Sequence, residues 1–271
     1  MDTGLNGKCV LITGASGGIG LATARAFAVE GCRLVLHYHR NRQPLDDLAK
    51  QLSMDSPAIS ADLRDEDQAQ RLFDKALGSC ARIDTLVVNA GVWPAEFTPL
   101  HEMSLEQWTN TLRTDLTAAF LTCRAFLRHL QADPRQSASI VLVGSTAALF
   151  GEAGHADYAA AKAGLTHGLT ATLKNEIVRL APRGRVNCVC PGWTDTPMAA
   201  RYTRDPDAVR QATATMALRR IATPDDVAAA IVFLTSERLA GHVSGAILPV
   251  AGGMEGRLLH PDEVCRDDQL C

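Results

Sequence analysis

The chain has 271 residues, of which 46% are hydrophobic, and a formal net charge of -3 at pH 7. This content suffices for one large buried core, and because no Ser/Gly/Pro-rich linker or internal repeat interrupts it, we expect one domain (residues 1–253) and a C-terminal tail (254–271). No Lys/Arg cluster is present, which argues against nucleic acid or an anionic membrane as partner and favours a small molecule.

The sequence carries no targeting or metal-binding pattern. No segment approaches the ~20 apolar residues of a membrane span, and no secretory leader is recognisable, so we expect a cytoplasmic protein. The eight cysteines are scattered rather than set at metal-ligand spacings. We therefore expect free thiols and no bound metal, with Cys188 and Cys190 as small packing residues.

Short apolar runs alternate with longer segments of helical periodicity. The predicted strands are Lys8–Thr13, Arg33–Tyr38, Ala58–Ala61, Asp84–Asn89, Ser139–Gly144, Arg185–Cys190 and Ala246–Val250. The predicted helices include Gly18–Glu30, Gln43–Ser53, Glu66–Leu77, Ser104–Leu130, Asp157–Leu180 and Pro224–Thr235. Such alternation requires right-handed crossovers, so the expected fold class is α/β: a single-domain, doubly wound (Rossmann) parallel sheet of about seven strands with helices on both faces.

A glycine-rich turn follows the first predicted strand and leads directly into a helix. Its glycines, Gly14, Gly18 and Gly20, let backbone amides approach a pyrophosphate, whose charge the helix N-terminus stabilises. Because strand, turn and helix come in the required order, the sequence predicts a dinucleotide site. A tight turn without a ligand is the alternative.

The end of the second predicted strand indicates which nicotinamide cofactor fits. An acid there would bind a ribose 2′-hydroxyl and repel a 2′-phosphate, but no Asp or Glu occurs from Gly31 to Leu45. The basic segment there favours NADP(H) over NAD(H). Arg40 is the first choice for the phosphate, because a guanidinium can donate two hydrogen bonds, followed by His39 and Arg42. A solvated basic turn is the alternative.

Three further residues predict acid–base chemistry. Tyr158 and Lys162 lie four residues apart in a predicted helix and project from one face. A cation beside the phenol lowers its pKa from about 10, so that Tyr158 can exchange a proton with an alcohol or carbonyl oxygen. Ser145, at the end of a predicted strand, can hold that oxygen by a hydrogen bond.

Five motifs together resemble those of the short-chain dehydrogenase/reductase family, including 3-oxoacyl carrier-protein reductases. They are Gly14-x-x-x-Gly18-x-Gly20, Asn89-Ala90-Gly91, Ser145, Tyr158-x-x-x-Lys162 and Pro191-Gly192-Trp193-Thr194-Asp195-Thr196. The resemblance runs from about Lys8 to Gly253 and preserves the family's order and distances. It implies that Tyr158 is the catalytic acid/base, that Lys162 lowers its pKa and holds the nicotinamide ribose, and that Ser145 orients the substrate oxygen.

The resemblance also implies cofactor contacts. Asp62 matches the position that hydrogen-bonds the adenine, Asn89 and Ala90 match positions on the adenosine side, and Thr194 and Thr196 match those that meet the carboxamide. In isolation, a capping Asp62 or a plain turn at Asn89 would be preferred. The expected cofactor-binding residues are Gly14, Ser16, Gly18, Ile19, Gly20, His39, Arg40, Asp62, Leu63, Asn89, Ala90, Gly91, Tyr158, Lys162, Pro191, Gly192, Thr194 and Thr196.

One catalytic position departs from the family pattern. The family has an Asn in its fourth helix that holds a water between the active-site Lys and solvent, whereas this chain has Asp115. We expect the Asp115 carboxylate to pair with Lys162 and to offset part of its effect on Tyr158. A relay from Lys162 through water to Asp115 is the hypothesis.

The substrate end is expected to be mainly apolar, with Trp93, Phe150, His155 and Trp193 as its walls. Residues 198–217 correspond to the mobile lid of relatives. The lid arginines Arg201, Arg204 and Arg210 could attract an acidic substrate or an acyl-carrier phosphopantetheine, or could be solvated surface. We expect the tail from Met254 to be disordered or to cap a neighbouring subunit.

These observations predict an NADPH-dependent reductase that converts a ketone, 3-oxoacyl-like or another small carbonyl, to a secondary alcohol with Tyr158 as proton donor. Secondary-alcohol oxidation, a pteridine reductase-like activity and an idle cofactor-sensing binding protein are the alternatives. The expected partners are the carbonyl or alcohol substrate, with an acyl-carrier protein as a further candidate. A homotetramer or dimer is expected through helices 104–130 and 157–180.

Overall fold

The computed structural model describes residues 2–52 and 56–254. Its centre is a seven-stranded sheet in the order β3-β2-β1-β4-β5-β6-β7, with every neighbouring pair parallel. The strands are β1 (Cys9–Ile12), β2 (Arg33–Tyr38), β3 (Ala58–Ser60), β4 (Thr85–Val88), β5 (Ser139–Val143), β6 (Arg185–Pro191) and β7 (Ile247–Val250). The predicted α/β fold class is confirmed. The strand order reverses between β1 and β4, where open sheets of this kind bind ligands beyond the strands' carboxyl ends.

Helices connect the strands. They are α1 (Gly18–Val29), α2 (Gln43–Leu52), α3 (Glu66–Cys80), α4 (Leu105–Leu112), α5 (Ala118–Ala132), α6 (Ala147–Phe150), α7 (Ala156–Ala163), α8 (Thr170–Glu176), α9 (Ala200–Thr203), α10 (Pro206–Ala214), α11 (Pro224–Thr235) and α12 (Glu237–Ala240). Two π-helical segments, Arg113–Thr117 and Gly164–Leu169, join α4 to α5 and α7 to α8. The two long predicted helices therefore each contain a π-helical stretch that apolar periodicity did not indicate.

The hydrophobic core lies on both faces of the sheet. In β1, Cys9 and Leu11 pack into one buried cluster, with Phe73 of α3 and Phe126 of α5. Val10 and Ile12 pack into the other cluster, on the opposite face. Successive side chains of a strand point to opposite faces, so an unbroken apolar strand marks a sheet covered on both sides.

Side-chain caps fix the starts of two core helices. Asp65 precedes α3 and accepts a hydrogen bond from the Gln68 amide. Thr223 and Asp226 form a reciprocal capping box at the start of α11, which has Pro224 at its first position. These contacts satisfy amides that have no partner within the helix, so the helices begin at defined residues.

The prediction that all cysteines are free thiols is wrong for one pair. Cys9 of β1 and Cys80 at the end of α3 form a disulfide, with their Cα atoms 6.4 Å apart. Both lie in the same core cluster, because α3 packs on that face of the sheet. Their separation of 71 residues gave no sign of this contact. Cys188 and Cys190 are free and fully buried, as expected of packing residues.

None of the helices within residues 2–52 and 56–254 combines the length and apolar character that crossing a bilayer would require. The predicted tail begins at Met254, and its residues 255–271 lie outside the described residues. The expectation for the tail therefore stays a prediction.

Candidate active site

A cavity of about 770 Å³ opens at the carboxyl ends of the central strands. One end is lined by His39 and Arg40, after β2, and the other by Trp93, Phe150 and Trp193. Most of the predicted site residues also line it: Gly14, Ser16, Gly18, Ile19, Asp62, Leu63, Asn89, Ala90, Gly91, Ser145, Tyr158, Lys162, Pro191, Gly192, Thr194 and Thr196. The fold thus brings residues from six separate loops to one elongated cleft.

The glycine turn is held against the loop after β4. Gly14 has a φ of +63°, and a Cβ there would lie 2.8 Å from the Cα of Ala90. The Asn89 side-chain amide donates to the carbonyls of Thr13 and Gly14, both at 3.0 Å. The Thr13 hydroxyl accepts from the amides of Asn89 and Ala90. Asn89 and Thr13 therefore hold the shape of the turn, a positioning role that the sequence did not indicate for Thr13.

The turn has the features of an anion site. The N-cap of α1 is Gly17, whose lack of a side chain leaves the first-turn amides uncapped. Gly18 approaches the opposite wall so closely that a Cβ would lie 2.8 Å from the Thr196 Cγ2. Unpaired amides at a helix start attract a pyrophosphate, and a dinucleotide fits this cradle. Gly20 lies behind the turn instead of lining the cavity, since a Cβ there would come within 2.3 Å of the Gly14 carbonyl.

His37 joins the glycine turn to β3 from inside the protein. Its Nδ1 accepts a hydrogen bond from the Gly14 amide at 3.0 Å, and its Nε2 lies 3.0 Å from the Ala61 carbonyl, so Nε2 carries the proton. Burial lowers the pKa of His37 from 6.5 to about 4. A neutral imidazole in this position stabilises the turn and is not available to bind a phosphate.

Basic side chains at the end of the cavity beyond β2, where the resemblance predicts the adenosine, differ in what they contact. Arg40 and His39 line the cavity, whereas Arg42 forms an ion pair with Asp46, at 3.0 Å, outside the cavity lining. Arg64, also in the lining, binds Asp62 through Nε and Nη2, at 2.9 and 2.7 Å. Hydrogen bonds from the Arg64 side chain hold the pKa of Asp62 well below its usual range. Asp62 is therefore ionised and already engaged by Arg64.

The three predicted catalytic side chains meet where β5 ends. The Lys162 ammonium donates to the Val143 carbonyl at 3.2 Å and lies 5.6 Å from the centre of the Tyr158 ring. The Ser145 hydroxyl accepts from the Ala147 amide at 3.1 Å and lies close enough to Tyr158 to lower the pKa of the phenol. A carbonyl oxygen placed between Ser145 and Tyr158 would receive hydrogen bonds from both hydroxyls.

Asp115 contacts Lys162 directly. It lies in the first π-helical segment, with its carboxylate fully buried. Oδ1 accepts from the Val92 amide at 2.9 Å, and Oδ2 lies 3.4 Å from the Lys162 ammonium. Gly91 permits this approach, since a Cβ there would lie 3.0 Å from Oδ2 and 3.1 Å from the ammonium.

The charges of this group oppose one another. Burial raises the pKa of Tyr158. Lys162 and Ser145 lower that pKa, whereas Asp115 and Glu152 raise it, so that the net shift is upward. The expected offset by Asp115 is present, but the net upward shift differs from the expectation that Lys162 would lower the pKa of the phenol. Burial lowers the pKa of Lys162, but the Asp115 carboxylate and Tyr158 together outweigh burial, so that the net shift is upward and the ammonium stays charged.

Aromatic side chains form the wall of the substrate end. The ring of Trp93 lies 6.3 Å from that of Trp193 and 5.2 Å from that of Tyr202, between centroids. His155 does not line the cavity as predicted: it is buried behind the wall, its ring 4.9 Å from that of Trp93. A polar residue in an aromatic-rich loop gives no sequence signal of which side it faces.

The lid segment contacts the site through apolar residues. Met198 and Ala199 line the cavity, but Arg201, Arg204 and Arg210 do not belong to its described lining. The Arg201 guanidinium lies 5.8 Å from the centre of the Tyr202 ring, and Arg210 pairs with Asp207. The solvated-surface interpretation of these arginines fits better than attraction of an acidic substrate.

Sequence reasoning missed four contributors to the site. Thr13 and His37 stood within the motifs that were examined but gave no sign of their contacts. Val143 acts through its carbonyl, which carries no side-chain signal. Glu152 lines the substrate end and accepts a hydrogen bond from the Trp93 indole at 3.0 Å.

Comparison with known proteins places this site in a family. A family model described as enoyl-(acyl carrier protein) reductase matches residues 14–255. The chain is 39% identical over 254 residues to cis-4-hydroxycyclohexanecarboxylate dehydrogenase of Sinomonas cyclohexanicum, covering 91% of this chain and 96% of that protein. It is 34% identical to 3-oxoacyl-[acyl-carrier-protein] reductase of Synechocystis sp., covering 93% and 98%.

A solved structure agrees with these matches. The short-chain dehydrogenase/reductase SDR:glucose/ribitol dehydrogenase from Brucella melitensis superposes with a TM-score of 0.84 at 32% identity, covering 94% of this chain and 99% of that one. The chain belongs to the short-chain dehydrogenase/reductase family, which confirms the resemblance derived from its motifs. The chain is accordingly an oxidoreductase of a family that uses nicotinamide cofactors, and the two relatives named above are a hydroxyl dehydrogenase and a 3-oxoacyl reductase.

Proposed function

We propose that the protein is an NADPH-dependent reductase that converts a ketone to a secondary alcohol. The observation that supports this most directly is that Ser145, Tyr158 and Lys162 line the same cavity as the glycine turn. When bound, the cofactor supplies a hydride to the carbonyl carbon. Tyr158 then donates its proton to the carbonyl oxygen, Ser145 holds that oxygen, and the ammonium of Lys162 stabilises the phenolate that remains.

The preference for NADP(H) rests on the adenosine end. Arg40 and His39 line the cavity just beyond β2, and no Asp or Glu occurs from Gly31 to Leu45. The carboxylate of Asp62 is engaged by Arg64, which keeps a cation beside the same region. A 2′-phosphate therefore meets more positive than negative charge, and Arg40 can donate two hydrogen bonds to it.

The substrate class follows from the cavity and from the relatives. The mainly aromatic wall suits a carbon skeleton, and the names of the two relatives above describe a hydroxycyclohexanecarboxylate dehydrogenase and a 3-oxoacyl reductase. Both interconvert a carbonyl and an alcohol, so a small ketone is the proposed substrate. Oxidation of the corresponding alcohol by the same site is the second candidate, because a shared transition state serves both directions.

A homotetramer or dimer is part of the proposal. Leu105 and Phe120, on α4 and α5, are 78% and 44% exposed, and Val178, just after α8, is 42% exposed. These are the helices expected to pair across subunits. Light scattering at several protein concentrations measures the assembly directly.

The activity test uses purified protein, a panel of cyclic and 3-oxoacyl ketones, and either NADPH or NADH, with the absorbance of the reduced nicotinamide followed over time. Ketone-dependent NADPH oxidation that exceeds NADH oxidation supports the proposal. Tight NADPH binding without turnover of any ketone or of the matching alcohols with NADP⁺ would favour the cofactor-sensing alternative.

A further inference from the structure

Glu152 occupies an unusual place in the substrate end. It follows α6 in the loop that leads to α7, lines the cavity, and keeps 28% of its side chain exposed. Its Oε1 accepts the hydrogen bond from the Trp93 indole and lies 3.9 Å from the His155 Nε2. Among residues 2–52 and 56–254, Oε2 has no hydrogen-bond donor, so an acceptor oxygen is left for a ligand in the cavity.

The electrostatic surroundings make this carboxylate selective. The lysines and arginines in the described lining of the cavity are Arg40 and Arg64, at the adenosine end, and Lys162, which is paired with Asp115. A carboxylate on the substrate would therefore meet Glu152 without an unpaired lysine or arginine of the described lining to compensate its charge. Glu152 already acts on the reacting group, since it raises the pKa of Tyr158.

The aromatic wall adds a shape preference. Trp93, Trp193 and Tyr202 pack edge-on or tilted against one another, with centroid separations of 5.2 to 6.3 Å. Trp93 is fixed by its hydrogen bond to Glu152, so the wall and the carboxylate form one unit. A rigid ring that carries a hydrogen-bond donor can contact the wall and donate to Oε2 together.

We propose that Glu152 is a specificity-determining residue that selects an uncharged ring ketone bearing a hydroxyl group and rejects a ketone bearing a carboxylate. This rests on the proposed ketone reduction. It also separates this chain from the relative whose name specifies a cyclohexanecarboxylate, because a carboxylate on the ring is the feature that Glu152 disfavours.

The test compares three ketones of one skeleton: 4-hydroxycyclohexanone, cyclohexanone and 4-oxocyclohexanecarboxylate. In E152Q the side chain keeps its volume and an oxygen that can accept from Trp93, but loses its charge. We expect the ratio of kcat/KM for the carboxylate ketone to that for the hydroxy ketone to rise on the order of tenfold, the size of a like-charge contact a few ångströms apart that solvent largely screens.

Two further variants test whether the charge of Glu152 causes the change in the kcat/KM ratio. Glu96→Gln removes an exposed carboxylate three residues after Trp93 that does not line the cavity, and should leave the ratio unchanged. Trp93→Phe removes the indole donor but keeps the Glu152 charge, so it should preserve the discrimination against the carboxylate ketone. An E152Q ratio equal to that of the wild type, or a ratio changed equally by Glu96→Gln, would overturn the proposal.

A binding measurement separates this inference from the proposed activity. Saturation-transfer NMR of the same three ketones with the enzyme and NADP⁺ reports the order of binding without turnover. If no ketone is reduced but the hydroxy ketone binds in preference to the carboxylate ketone in the wild type and not in E152Q, the reductase proposal fails and the role of Glu152 stands. Equal binding of both ketones by the wild type would contradict it.

Discussion

The Asp115 carboxylate lies 3.4 Å from the Lys162 ammonium in a fully buried setting. The ammonium therefore balances two partners, the Asp115 carboxylate and the Tyr158 phenol, within a few ångströms. Together with Tyr158, the carboxylate offsets the effect of burial on the pKa of Lys162, but it also raises the pKa of the phenol. The pH at which Tyr158 works is set by this balance.

The first prediction concerns Asp115→Asn. Removing the negative charge lowers the pKa of Tyr158, because Asp115 is one of the groups that raise it. Ketone reduction needs the protonated phenol, so the reduction rate should be lost at a lower pH than in the wild type. Alcohol oxidation needs the phenolate and should begin at a lower pH. The pH profiles of kcat/KM in both directions measure this.

A matched control for that experiment is Glu106→Gln, which neutralises an exposed acid at the start of α4. It should leave both profiles in place. If the Asp115→Asn profiles also coincide with those of the wild type, the carboxylate has no electrostatic influence on the reaction.

The second prediction concerns Gly91. A Cβ at this position would meet the Asp115 Oδ2 and the Lys162 ammonium at about van der Waals contact or closer. We expect Gly91→Ala to displace this pair, to reduce kcat strongly, and to lower the free energy of unfolding by about 1–3 kcal/mol, as overpacking of a tight site does. Thermal unfolding and steady-state kinetics measure both effects.

Gly78→Ala is the matched control for Gly91→Ala, at a glycine within a helix. A Cβ at Gly78, in α3, has no neighbour within 4 Å. The substitution should stabilise the protein by about 0.5–1 kcal/mol, because alanine lowers the backbone entropy of the unfolded chain, and it should leave the kinetics unchanged. Equal effects of the two substitutions would show that Gly91 is not required for the close approach.

The third prediction tests the cofactor preference. Arg40→Gln should lower kcat/KM for NADPH by on the order of tenfold to a hundredfold and change that for NADH little, because only NADPH offers a 2′-phosphate to the guanidinium. Arg42→Gln is the matched control, since Arg42 pairs with Asp46 and lies outside the cavity lining. A larger loss of kcat/KM for NADPH in Arg42→Gln than in Arg40→Gln would indicate that Arg42 contacts the phosphate.

The fourth prediction concerns stability at acid pH. Burial lowers the pKa of His37 to about 4 in the folded protein, against 6.5 when unfolded. Between pH 6.5 and pH 4, His37 is therefore protonated in the unfolded chain but neutral in the folded protein. The stability that neutral His37 contributes is lost as the pH falls through this range. The loss amounts to about 3 kcal/mol from this residue.

Thermal unfolding between pH 4 and pH 7 tests this. His37→Gln should show a shallower decline in Tm with falling pH, whereas His39→Gln, at an exposed position, should decline as the wild type does. A His37→Gln curve parallel to the wild-type curve would assign acid lability to other groups.

Much of the fold follows from pattern alone. Each predicted strand lies within one or two residues of the observed one, because strands buried on both faces are continuous apolar runs bounded by turn residues. The π-helical segment that carries Asp115 was not predicted, since one inserted residue hardly changes apolar periodicity. The Cys9–Cys80 disulfide depends on how α3 packs on the sheet, and no local signal encodes that.

In the candidate site, too, features encoded by a local motif were predictable and features set by three-dimensional packing were not. Residues that belong to fixed motifs, such as the glycine turn and the Tyr158–Lys162 pair, could be located in the cavity from sequence. Asp62 was assigned to the adenine, but its engagement by Arg64 appears only in three dimensions. Glu152 and His155 lie three residues apart in one loop, yet one faces the cavity and the other lies buried behind it.

The most direct test of the reductase assignment compares wild-type protein and Tyr158→Phe in ketone-dependent NADPH oxidation, with NADPH affinity measured in parallel by fluorescence titration. The phenyl ring keeps the packing of the site and removes the proton donor. We predict that turnover falls by on the order of a thousandfold or more, as removal of a general acid does, while the NADPH dissociation constant changes little. Undiminished turnover by Tyr158→Phe would contradict the assignment of the phenol as the proton donor.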